Sequence, residues 1–182
     1  MPETAASVAE VSAESASFGI VLAHGASIPH LPARRLVDTQ IESPHVTART
    51  FVLGGGEWPL PDFENAEVFV DRLVRAGLVV RDPLVTDVLA GEKSRLGTRS
   101  VQRRVVAATG LTQGAVRQIE RARHAAILLG DGLAPLETVH RLGYYDQSHL
   151  SRSLARFIGR TATELQRPGP AEPLSLLYKI DD

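Results

Sequence analysis

Between Gly143 and Gly159 the chain reads GYYDQSHLSRSLARFIG. Gln147, Ser148, Ser151 and Arg152 crowd hydrogen-bonding groups into the first turns of a predicted helix, more than a solvated helix needs. The chemistry of these groups is recognition. The amide of Gln147 suits a bidentate pair with adenine, the guanidinium of Arg152 suits guanine O6/N7 or a phosphate, and Ser148 and Ser151 reach bases or phosphates. Leu150, Leu154 and Phe157 supply the apolar side of the same helix.

The elements that would position this strip are legible from their start and stop signals. RDPLVTDVLAG predicts a helix with Asp82 as N-cap, Pro83 at its first position and Gly91 past its end. A further helix enters through Gly97 or Thr98 and stops at Gly110. A longer one follows Thr112 to Gly130, then a short one between Pro135 and Gly143. Asp146 caps the helix quoted above, and Thr161 caps a last one over 162–167. Before these, DFENAEVFVDRLVRAG places Phe69, Leu73 and Ala76 on one stripe and ends at Gly77.

An internal match organises this half. Moved forward by 49 residues, RSVQRRVVAATGLT lies on SHLSRSLARFIGRT. Val101 meets Leu150, Gln102 meets Ser151, Arg103 meets Arg152, Val105 meets Leu154, Gly110 meets Gly159 and Thr112 meets Thr161. Each copy is read as following a short helix and a tight turn, the helix-turn-helix arrangement. In that arrangement the second helix lies in the DNA major groove with its N-terminal residues at the base edges. Thr98, Arg99, Gln102 and Arg103 are then the first copy's candidates, beside Gln147, Ser148, Ser151 and Arg152 in the second. Val101, Val105 and Ala108 would fill the first core. Arg121 and Arg123, on the long helix, are expected to touch at most phosphate or acidic neighbours such as Glu120.

Charge agrees with a polyanionic partner. From Ser94 to Arg167 there are twelve arginines and five acids, a net of +7, while the rest carries eight basic and sixteen acidic residues, a net of −8. The whole chain of 182 residues is 43% hydrophobic with net charge −1, which suits one or two small domains. It has no cysteine, so disulfides, thiolate metal sites and cysteine nucleophiles are excluded. No run of about 18 apolar residues and no secretory signal are read, so the expected location is cytoplasmic and off the membrane.

YYDQSHLSRSLARFIGRTATEL resembles the signature of AraC/XylS-type transcription regulators. Gly143, Asp146, Ser148, Arg152, Gly159 and Thr161 match that pattern; Leu150 and Leu154 stand for its two aromatics, Ala162 for its proline and Leu165 for its tyrosine. TRSVQRRVVAATGLTQGAVRQIERAR resembles the family's first recognition helix and linking helix. The resemblance spans about 82–167. It implies a mainly α module of two helix-turn-helix units joined by a linking helix of about 25 Å. The implied partner is double-stranded DNA, with RNA polymerase as a second candidate partner, and no cofactor, metal or catalytic residue. Target sequence, sign of regulation, effector and oligomeric state stay open.

The first part of the chain reads differently. Residues 1–17 are expected to form a flexible leader, 18–60 a β-rich segment, 61–81 a connector helix and 169–182 a tail after the module at 82–168. Short apolar runs at FGIVLAHG, RRLVDTQIE and ARTFVLGGGEW are read as strands and irregular loops, similar to a truncated cupin-like sensor. Three strands cannot build a core, so they are expected to lean on the helix at 66–77 or pair with another chain. Trp58, Tyr144 and Tyr145 are read as core or boundary aromatics. Two rival readings are a helical protein-interaction module without specific DNA binding and a small enzyme using His24, His30 or His45. Salt-dependent DNA affinity separates the first from a DNA reader, and tight metal binding would favour the second.

Overall fold

The computed structural model describes residues 3–6 and 19–167. The Phe18 start of the β segment, most of the leader and the tail at 169–182 lie outside the described residues. The chain is mainly α, with seven helices among the described residues and two small two-stranded sheets. Packing divides it into two units that meet in sequence at Gln113 and Gly114; residues 3–6 group with the second.

The first unit contains β1 (Ala26–Ser27), β2 (Thr50–Leu53), β3 (Gly56–Pro59), α1 (Ala66–Arg75), β4 (Val80–Arg81), α2 (Pro83–Leu89) and α3 (Thr98–Thr109). β2 and β3 form an antiparallel hairpin turned by Gly54 and Gly55, both at positive φ. Its inner face supplies Phe51, Leu53 and Trp58 to a core with Phe69, Leu73 and Val79. Phe51 and Trp58 lie 6.0 and 6.3 Å from the Phe69 ring, the latter edge-on. The hairpin thus leans on α1, where Phe69 and Leu73 are buried and Ala76 and Val74 are exposed.

Of the three runs read as strands and irregular loops, only the third forms strands over its own described residues. Residues 19–23 form no strand; β1 lies just beyond them and pairs with β4 over two residues. RRLVDTQIE begins inside a 3-10 helix at Ala33–Arg35. Pro32 fixes its φ at −55° and its carbonyl accepts from Arg35 N–H at 2.8 Å, so the chain turns where an apolar run alone suggested extension.

Asp82 caps α2, accepting from Leu84 N–H at 3.1 Å, with Pro83 behind it. Val85, Val88, Val101 and Val105 form the core between α2 and α3. The N-terminal segment is tied to this pair. The Asp82 N–H donates to the Gly25 carbonyl at 2.8 Å and the Thr86 hydroxyl to the His24 carbonyl at 2.8 Å. α3 ends at Gly110, φ +75°, where a Cβ would stand 2.7 Å from the Ala33 carbonyl oxygen. Gly110→Ala is expected to destabilise the first unit by about 1 kcal/mol or more, through positive φ and displacement of the 3-10 helix. Chemical denaturation of the full chain checks it; an unchanged first-unit midpoint contradicts it.

The second unit contains α4 (Gln113–Gly130, its first residue counted with the first unit), α5 (Pro135–Leu142), α6 (Gln147–Phe157) and α7 (Ala162–Gln166). Ala122, Ala125, Ala126 and Leu129 of α4 meet Val139, Tyr144, Leu150, Leu154 and Ile158. The alanines and Leu129 are the side of α4 that this core buries. Thr161 and Glu164 close a reciprocal capping box on α7. The two Thr161 hydrogen bonds hold the Glu164 carboxyl below the usual carboxylate range, with the Arg160 charge adding to them.

Candidate nucleic-acid interface

α6 is built around its preceding turn. Gly143 adopts φ +67° and ends α5, and four residues separate α5 from α6. Asp146 then accepts the His149 N–H at 2.6 Å. Tyr144 is buried; its hydroxyl meets the Ser153 hydroxyl at 3.2 Å and its ring lies 5.1 Å from His149, edge to face. Ser153 occupies the same buried helix face as Leu150 and Leu154, so its polarity is answered from within the core. With that face committed, Gln147, Ser148, Ser151 and Arg152 are all exposed on the remaining face.

α3 presents the same strip. Thr98, Arg99, Gln102 and Arg103 are exposed, and each lies 49 residues before its counterpart at Gln147, Ser148, Ser151 and Arg152. The register extends through the structure: α3 and α6 begin at 98 and 147, α4 and α7 at 113 and 162. Val101 and Val105 are buried as Leu150 and Leu154 are, and Gly110 and Gly159 stop their helices at φ +75° and +73°.

The entry to α3 departs from the expected tight turn. Residues 90–97 separate α2 from α3, eight residues against four before α6, because Gly91 ends α2 at φ +98°. The N-cap of α3 is Gly97, which offers no side-chain acceptor.

Not all arginines of the basic half face solvent alike. Among the described residues, Arg99, Arg103 and Arg152 make no hydrogen bond or ion pair. Arg104 pairs with Asp82 at 3.5 Å, and Arg123 with Glu120 at 2.9 Å. Arg156 donates to the Thr4 carbonyl at 3.3 Å and lies over Phe157. Arg121, expected to touch at most phosphate or acidic neighbours, forms no ion pair with an acid among the described residues. Its guanidinium sits 4.5 Å from the Tyr144 ring centre and donates to the Gly143 carbonyl at 3.5 Å. It is a positioning residue for the turn into α6. Reading α4 alone could not show this, because its partner lies 23 residues further along the chain.

Tyr145 also departs from its reading as a boundary aromatic, being 91% exposed. No helix among the described residues is long and apolar enough to cross a membrane. Residues 91–168 match a family model described as a helix-turn-helix domain, a little under half of the chain. No curated protein and no solved structure matches.

Proposed function

We propose that the chain, whose residues 91–168 match a helix-turn-helix family model, is a sequence-specific DNA-binding transcription regulator of the AraC type and not an enzyme. In this reading α3 and α6 each enter a major-groove segment, with α4, 18 residues and about 27 Å long, connecting them. The carrying observation is the recurrence, at a 49-residue interval, of the exposed strips at Thr98, Arg99, Gln102, Arg103 and at Gln147, Ser148, Ser151, Arg152. Their arginines have no partner among the described residues, whereas Arg104, Arg121 and Arg123 are engaged within the fold.

Residues 82–168 would act as the DNA-binding module, and 18–60 as a cupin-like segment ahead of it. The working location is the cytoplasm, with RNA polymerase as a second partner. Charge supports the reading further: the unpaired cations suit phosphates on either side of each groove.

The test is a titration of duplex DNA across 50–200 mM salt. About five phosphate contacts give a log–log slope of roughly −4 to −5. A flat salt response removes DNA binding as the main role.

A further inference from the structure

We infer that Tyr145 is a sugar-phosphate contact beside the groove that α6 enters, an inference that rests on the DNA-reading role proposed above. Tyr145 has the highest exposure of the large hydrophobic side chains among the described residues, at 91%. Its ring has no partner there, although its neighbour Tyr144 is buried and fully engaged. Its backbone is fixed by an N–H bond to His149 Nδ1 at 3.4 Å and by the Asp146 cap that follows. The side chain therefore leaves a held corner, one residue before the N-cap of α6.

The internal repeat supplies a second observation. The residue 49 positions earlier is Leu96, also exposed at 44% and also one residue before an N-cap, that of α3. Both copies carry an uncovered apolar side chain at the edge of a polar strip. An apolar group left in water at a recurring position forgoes the free energy that burial would bring. Duplex DNA offers cover there: deoxyribose carbons for the ring face and a phosphate oxygen to accept from the phenol. Tyrosine is among the side chains that make such backbone contacts, which set position and not sequence. Base reading stays with Gln147, Ser148, Ser151 and Arg152.

The experiment uses the full chain with a duplex recovered by selection from random-sequence DNA, and a scrambled duplex. Tyr145→Ala is expected to weaken both by about tenfold, the scale of a lost hydrogen bond to a charged group. The salt slope stays at its wild-type value, because no cation is removed. Tyr145→Phe falls between the two, and neither variant shifts the melting temperature. Nitration mapped by mass spectrometry should show Tyr145 modified in the free protein and protected by DNA. Wild-type affinity in Tyr145→Ala, equal nitration with and without DNA, or a lowered melting temperature overturns the inference while leaving the DNA-reading role standing. Failure of the wild type to bind any duplex overturns both.

Discussion

Leu154→Ala is expected to destabilise the second unit by about 2–5 kcal/mol. Leu154 has no exposed surface and lies in one cluster with Ala122, Ala125, Ala126, Leu129, Val139 and Leu150. Truncation removes apolar contact and leaves a cavity in a packed cluster, which adds to the lost transfer free energy. Thermal and chemical melts read the loss. A midpoint equivalent to a change within about 0.5 kcal/mol would mean that Leu154 is not in a packed core. Weaker DNA binding by this variant would follow from unfolding, so the melt must be read first.

Arg103→Ala and Arg152→Ala are expected to do the opposite: leave the melts alone and weaken the selected site by about 1–3 kcal/mol, with relaxed preference at particular base positions. Both side chains are exposed and make no bond within the described fold, so nothing structural is lost with them. Arg121→Ala is the contrast. Its guanidinium covers Tyr144, so its removal is expected to lower the melt by about 0.5–2 kcal/mol. Any effect on DNA would come through the turn into α6. Titrations on selected and scrambled duplexes separate the cases. Wild-type affinity in both Arg103→Ala and Arg152→Ala would end the assignment of these helices to the major groove.

The helices were legible because their signals are local. Asp82–Pro83, Gly110, Asp146, Gly159 and Thr161 each mark a boundary within one turn, and the structure places caps or stops there. The polar strips were legible because the apolar positions of α3 and α6 fix which face is buried. What escaped was set by distant partners. Arg121 takes its role from Tyr144, Ser153 from the same tyrosine, and the 3-10 helix at 33–35 from its packing beside Gly110. The segment at 24–36 takes its place from α2 and α3, through contacts spanning about sixty to eighty positions that no local pattern encodes.

One oxygen atom links two duties. Asp82 Oδ1 accepts the Leu84 N–H that starts α2 and also faces Arg104 Nη1 of α3. The corresponding lock before α6 is a pair of neutral hydroxyls, Tyr144 and Ser153. Dissolved ions compete with the first and barely touch the second. The two strips are thus held by clasps of different ionic sensitivity, and a half-exposed pair such as Asp82–Arg104 contributes at most about 1 kcal/mol. Raising salt would loosen the seating of α3 slightly while α6 keeps its own. If the molecule binds DNA as proposed, its ionic response there would hold a small share from this half-exposed pair, added to the larger share from displaced counterions.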